Sequence, residues 1–543
     1  MNFKKKMAIL LAVMMLMLLA ACGNGGDEVV EPSTSENTGT EDGQETVGEK
    51  KIIKYGNDLG IVSGLDIHLF TNSEIFEVTD QTHEPLVGSE TGTYELYPLL
   101  IKEMPTVSED GLTYSFELKE GIKFHDGSDL TSHDVKYTFE RMFNPATGNV
   151  NTWIADMIEG SKEMLDGEAT ELSGFNLIDD YNFEISLYEP YAPFESIMST
   201  QQMVIFPEEA EDYGKDWGLE AYVGTGPMMV QEFQPKVKVI LEKFEDYHGE
   251  VTKIDEVHFL NMETNTALLE FEKGNIDVAR VNENLVDQYR DDPDFAENLK
   301  EEELIGIIAL TLNHEMPPLD DVRVRKAVSL AIDRNSLTEN YLKGNASPAK
   351  SMLPSRVLGH DPNAPELEYN PEKAKELLAE AGYPDGIELE AYVVEKHRLV
   401  GVFTVLQAQF KEVGIDLTIR QVDQSSYVDL RKRGEVQLPI LTWYADYVDP
   451  DNFTYTFLYG DNGIFFSSNY KDAEFDEMAD KGRKITDRDE REQLYKELDY
   501  KIVHEDLPHS PLYTPKAFYL QSDRVEGLQL QNWTFRFFPA DIK

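Results

Sequence analysis

Leu112-Thr-Tyr-Ser-Phe-Glu-Leu-Lys-Glu-Gly-Ile-Lys-Phe-His-Asp-Gly127 is the stretch on which the reading of the fold turns. Tyr114, Phe116 and Leu118 fall on one face of an extended chain, the period-two pattern of a half-buried strand. Glu120-Gly121 read as a hairpin turn before a second extended run carrying Ile122 and Phe124. His125-Asp126-Gly127 then read as a tight turn, with Asp126 bonding nearby backbone and Gly127 at positive φ. Thr131 with Asp134 has the spacing of a capping box and predicts a helix through about residue 141. Outward from this stretch, strands are expected at 52–55 and as a hairpin over 228–233 and 237–244. The second half is richer in helices. Val324, Ala327, Val328 and Ala331 recur at helical spacing after Asp320-Asp321. Asn370-Pro371 cap a helix whose stripe is Ala374, Leu377, Leu378 and Ala381, and Gly382 stops it. Strands at 387–393 and 415–419 flank a helix over 403–413, and 439–443 is a further strand-like run. Alternation of this kind predicts an α/β body of more than one lobe.

The charge narrows the function. Against 49 Lys and Arg stand 102 Asp and Glu, a net −53, and such a field repels polyphosphate, so no nucleic-acid partner is expected. Hydrophobic residues at 41% and aromatics at 10% suffice for packed cores, so the acidity belongs to a solvated surface and not to a disordered chain. The single Cys excludes an intramolecular disulfide framework and a Cys-cluster zinc site. A length of 543 residues corresponds to three or four units of about 150 residues each.

The first fifty residues predict where the protein works. Lys4, Lys5 and Lys6 precede an apolar run from Met7 to Ala21, too short to span a bilayer comfortably but suited to a signal peptide over 1–21. It ends Leu19-Ala20-Ala21-Cys22-Gly23, which resembles a bacterial lipobox. The resemblance implies diacylglycerol on the Cys22 thiol and cleavage before it, anchoring the chain durably in the lipid bilayer. Cleavage would remove three lysines and no acid, leaving the mature chain more acidic still. Residues 22–50 are Gly, Ser, Thr, Glu and Asp with almost nothing apolar, a disordered tether. The expected location is extracytoplasmic: the outer face of the cytoplasmic membrane in a Gram-positive cell, the periplasmic side otherwise.

Catalytic signatures are missing from the spacing. Gly224-Thr-Gly-Pro227 lacks the Lys-Ser/Thr of a phosphate loop and reads as a crossover turn; His504-Glu505 fails the zincin spacing because the next His is His509; and no G-x-S-x-G occurs. No enzyme activity and no cofactor or metal site is expected.

Several stretches together, in order, carry a family resemblance. They are Leu112 through Arg141, Gly224-Thr-Gly-Pro227, Pro317-Pro-Leu-Asp-Asp-Val-Arg-Val-Arg-Lys-Ala327 with Ala331-Ile-Asp333, Asn370 through Gly382, and Trp443-Tyr-Ala-Asp446 with Asp449-Pro450. Over 51–543 the chain resembles the peptide/nickel-type solute-binding proteins (family 5) of ABC importers, including dipeptide- and oligopeptide-binding lipoproteins. The resemblance implies an α/β fold of the two-lobed periplasmic-binding-protein type (type II, the large three-subdomain variant) with hinge strands and an interlobe ligand cleft. It assigns 51–85, 207–310 and 510–543 to the first lobe, 86–206 to a subdomain inserted in it, and 311–509 to the second lobe. It implies a monomer that captures a peptide and delivers it to ABC permease subunits driven by their ATPases.

The candidate site follows from the chemistry of a peptide. Its N-terminal ammonium is strongly hydrated, and enclosing it costs several kcal/mol unless a carboxylate faces it. The run Thr442-Trp443-Tyr444-Ala445-Asp446 ends a strand in aromatics and a carboxylate; by the resemblance Asp446 takes the ammonium and Trp443 is the cleft aromatic before it. On the other wall Leu69-Phe70-Thr71-Asn72-Ser73 resembles the stretch whose extended backbone pairs with ligand backbone. For the ligand's carboxylate the resemblance points to a cation near Lys396-His397-Arg398, with Arg398 first. The rival ligands for the same architecture are a nickel chelate, an oligosaccharide or an opine-like solute. A rival of another class is a sensory or chaperone lipoprotein without a transport partner.

Overall fold

The computed structural model describes residues 50–59, 62–70, 73–395 and 397–543. The expected signal peptide, the expected lipidation site Cys22, all but the last residue of the expected tether, and the site candidates Thr71 and Asn72 lie outside the described residues.

A ten-stranded sheet runs through both lobes. In the first lobe Ile52–Asn57 lies parallel to Glu256–Asn261, in register from Ile52 opposite Glu256 to Asn57 opposite Asn261. Met228–Gln234 and Lys238–Lys243 extend that side as the expected hairpin. Burial follows the pleat: Ile53 and Tyr55 are fully enclosed among Phe259, Phe535 and Phe537.

The strand His509–Gln521 is thirteen residues long and joins the halves. Its first part pairs antiparallel with Gly306–Thr311, Thr311 opposite His509. Its last part pairs with Leu299–Glu303, Glu303 opposite Lys516, and with Val278–Arg280. Leu304 and Ile305 therefore cross from one lobe to the other beside Thr514 and Pro515, with Leu304 N–H donating to the Pro515 carbonyl at 3.0 Å. A hinge needs only a few such crossing residues to bend, and Ala346–Pro348 pairs beside the crossing at Tyr513–Pro515.

The second lobe packs on both faces of Gly306–Thr311. Ile308 and Leu310 face the helix Leu399–Glu412 and the parallel strands Ile387–Val394 and Ile415–Val422. Ile307 and Ala309 face Phe453, Phe457 and the helix Arg488–Tyr500. The helix starts read from the sequence recur as hydrogen bonds: Asp321 accepts from Arg323 N–H, and Asn370 from Lys373 N–H.

The stretch 112–127 differs from its expected form in one respect. Thr113–Glu117 is a strand with Tyr114 and Phe116 buried, but its partners are Thr106–Val107 and Asn182–Ser186. Ile122–Phe124 does not fold back on it. That run pairs locally across His125-Asp126-Gly127, with Phe124 N–H donating to Ser128 O at 2.9 Å and Leu130 N–H to Ile122 O at 3.0 Å. The turn is as read: Asp126 Oδ1 accepts from Ser128 N–H at 3.0 Å, and Gly127 has φ +89. The expected hairpin fails because alternation identifies a strand but not its neighbour; the long-range partner Asn182–Ser186 stacks Phe183 on Phe116 at 5.0 Å. His125 itself is a docking side chain. Its ring lies 2.9 Å from Gly226 O and accepts from Gly224 N–H at 3.2 Å, tying this segment to the first lobe.

Candidate functional site

Ile440-Leu441-Thr442-Trp443-Tyr444 is built from residues that favour extended chain. It ends the ten-stranded sheet: one edge pairs with Gly306–Thr311, Tyr444 opposite Gly306, and among the described residues no strand pairs the other. Gly306 is required there. A Cβ would fall 2.7 Å from Tyr444 Cδ1 and 2.8 Å from Trp443 O. A cavity of about 360 Å³ runs along the unpaired edge, lined by Thr442 and Trp443, by Tyr392, Phe403 and His397, and by Tyr427, Arg431 and Phe465. An unpaired sheet edge in an aromatic groove can accept another extended chain by backbone hydrogen bonding.

A second cavity, about 700 Å³, lies between the lobes. Arg280, Glu283 and Trp533 line it from the first lobe; Tyr341, Arg398, Tyr444 and Tyr513 line it from the second side and the hinge. Tyr444 meets Trp533 edge-on at 4.3 Å. Arg398 donates to the Tyr444 hydroxyl at 3.2 Å and forms an ion pair with Glu283 across the lobes.

After Tyr444 the chain turns. Asp449 caps the next turn, accepting from Asp451 N–H at 2.9 Å, and Pro450 occupies its first position. Asp449 also takes a two-pronged ion pair from Arg491, 2.7 Å at each oxygen. The side chain of Asp446 remains solvent-accessible. Protein around it pushes its carboxyl above the ordinary carboxylate value by desolvation, and a hydrogen bond from Asn452 opposes that shift.

The expected site residues fall into three places. Trp443 and Asp446 are brought together through Asn452; Tyr444 and Arg398 face the larger cavity; Thr442 and Trp443 face the smaller one. The Thr442 hydroxyl is buried without a hydrogen-bond partner. Asp446, Phe70 and Ser73 line neither cavity: Asp446 lies in the turn after the edge strand, Phe70 packs half-buried against the first-lobe core and Ser73 starts the helix Ser73–Thr82. Sequence reasoning missed Glu283, Trp533 and Asn452. Asn452 stands six residues after Asp446 with a visible signal, the Pro450-Asp451-Asn452 turn; Glu283 and Trp533 reach the cavity only through tertiary packing. Among the described residues no group of three His, Cys, Asp or Glu could hold a metal ion, and no helix is long and apolar enough to cross a membrane.

Two α/β lobes sharing one sheet, with the larger cavity at their junction and the smaller one within the second lobe, have the architecture of a solute-binding protein. Residues 95–465 match the model of the bacterial extracellular solute-binding proteins, family 5 (middle), and the chain belongs to that family. It is 27% identical over 495 residues to the dipeptide-binding protein of Escherichia coli, covering 86% of this chain and 91% of that one. It is also 27% identical over 471 residues to heme-binding protein A of Haemophilus influenzae, covering 83% and 84%. A solved structure with TM-score 0.69 and 26% identity, covering 91% of this chain and 98% of its own, is the ABC transporter-associated periplasmic binding protein DppA from Helicobacter pylori in complex with the peptide STSA. The family's description puts such proteins outside the cytoplasm.

Proposed function

We propose that this protein is the peptide-capturing component of an ABC importer, binding di- or oligopeptides between its lobes and handing them to a membrane permease and its ATPases. The observation that carries this reading is the arrangement at the end of Ile440–Tyr444: an unpaired strand edge, an aromatic groove, and the accessible carboxylate of Asp446 just beyond. Backbone pairing ignores side chains, so it suits a carrier of many peptides. A lone carboxylate favours an amine-bearing solute; a sugar gains little from it. Arg398, which lines the larger cavity, is the cation for the ligand's carboxylate. The peptide-bound relative from Helicobacter pylori and the dipeptide-binding protein of Escherichia coli support the ligand class.

In this reading the lobes are 51–85, 207–310 and 510–543 against 311–509, with 86–206 inserted in the first, and the chain crosses between them a few residues off those bounds. Ligand shifts the population from open to closed about the crossings at Leu304–Ile305 and Thr514–Pro515. The protein acts as a monomer, catalyses nothing, and is held to the outer face of the membrane by acylated Cys22. Native mass spectrometry of the purified protein tests the ligand class. Co-purified peptides are expected, and a metal chelate, a sugar or heme in their place refutes it. Cys22→Ser is expected to move the protein from the membrane to the soluble fraction; retention in the membrane refutes the anchor.

A further inference from the structure

Asn452 is 1% exposed, and its side chain reaches Trp443 on the strand before it and Asp446 in the turn that follows that strand. Its Oδ1 accepts two hydrogen bonds, from the Trp443 indole N–H at 3.0 Å and from the Asp446 backbone N–H at 3.1 Å. A carbonyl oxygen has two lone pairs, so this acceptor is fully used. Its Nδ2 donates to Asp446 Oδ2 at 3.4 Å. One amide thus fixes the plane of the aromatic, the backbone of the acidic residue and the rotamer of its carboxylate.

Asn452 is itself held. Its neighbour Asp451 accepts from Tyr447 OH at 2.9 Å and from Tyr191 OH at 3.2 Å, and lies 3.3 Å from Arg483 Nε. A buried amide pinned in this way loses little freedom when a ligand arrives, which is the requirement for a preorganised site.

We propose that Asn452 is a positioning residue for the peptide's amino terminus, acting through Trp443 and Asp446 without touching the ligand. The inference rests on the reading of Asp446 as the ammonium site. Its core is the acceptor oxygen, since that atom orients both partners.

The test uses the full chain, with Asn452→Leu, which removes the oxygen, and Asn452→Asp, which keeps it and, with one proton shared between the two facing carboxyls, keeps a donor to Asp446 as well. The probes are trialanine and N-acetyltrialanine, followed by calorimetry. Asn452→Leu is expected to weaken trialanine about tenfold while moving N-acetyltrialanine less than about twofold, and Asn452→Asp is expected to restore most of the trialanine affinity. Without any ligand, the indole ¹⁵N–¹H resonance of Trp443 should keep its hydrogen-bonded position in Asn452→Asp and lose it in Asn452→Leu. Equal loss for both peptides in Asn452→Leu means a scaffolding role and overturns the proposal. So does unchanged trialanine binding, an unmoved indole resonance, or no rescue by Asn452→Asp. If Asn452→Leu unfolds, Asn452→Ala removes the same oxygen without added bulk and is read by the same criteria. Wild-type protein that binds the two peptides equally removes the ammonium site itself, and the proposal falls with it; failure confined to the Asn452 variants leaves that site standing.

Discussion

Replacing Asp446 by Asn removes one charge and keeps the shape of the side chain, so it isolates what the carboxylate contributes. A carboxylate and an ammonium about 4 Å apart attract by about 4 kcal/mol at the effective dielectric of a partly enclosed site. Much of that is offset by stripping water from the ammonium, and more is screened because Asp446 is exposed. A charge-assisted hydrogen bond in such a place is worth about 1.5–3 kcal/mol net, or about ten- to a hundredfold in Kd. Asp446→Asn should lose that much for a free-amine peptide and almost nothing for its N-acetylated twin. Calorimetry of both peptides against both proteins closes a double-mutant cycle. The expected coupling is at least about 1 kcal/mol; parallel losses, or none, would refute the assignment. The same carboxylate gives a pH signature. Desolvation raises its pKa, so affinity should climb as pH rises through that value and the group ionises. It should fall again as the peptide's amine, with pKa about 7.7–8.0, loses its proton.

Glu283→Gln should free Arg398 from its cross-lobe ion pair and tighten peptides with a free C-terminal carboxylate by about threefold, leaving C-amidated peptides unchanged; equal effects on both would remove Arg398 from the site. Asp499 is buried and its carboxyl is pushed up to about 7 by desolvation, with Met352 N–H and Ser351 opposing. A carboxyl whose folded pKa lies above its unfolded value stabilises the fold most at low pH. That contribution, up to about 4 kcal/mol, is lost as pH rises from about 4 to 7. Denaturant melts at both pH values should show the decline, and Asp499→Asn should flatten it. Gly306→Ala should cost about 1–3 kcal/mol, because the new Cβ would press on Tyr444 and the Trp443 carbonyl; a melting temperature equal to wild type would show that the edge strand can shift.

The elements most legible in the sequence were those governed by neighbours in the chain. Thr131 and Asp134 capped the helix Ser132–Phe143, Asn370-Pro371 opened Pro371–Glu380, and the turn around Asp126-Gly127 formed as read. Strand partners were less legible. The partner of Thr113–Glu117 lies about seventy residues on, at Asn182–Ser186, and nothing in local alternation selects it over the adjacent run at Ile122–Phe124. The candidate site divides the same way. Trp443 and Asp446 could be singled out because a strand ending in aromatics and a carboxylate is a local pattern. Phe70 and Ser73 were singled out by resemblance alone, and they line neither cavity in this conformation.

By itself the sequence determined the class of fold, the acidic surface and the chemistry available at the end of one strand, since composition, capping and periodicity are properties of short stretches. Only the tertiary structure decided that Ile440–Tyr444 stands at an unpaired edge, that Arg398 meets Glu283 across the lobes, and that Asn452 binds both Trp443 and Asp446. Those facts depend on where distant segments settle when the cores of both lobes pack about one shared sheet. No window of residues carries that information, because the energy that selects it is the burial of surfaces contributed from both halves of the chain.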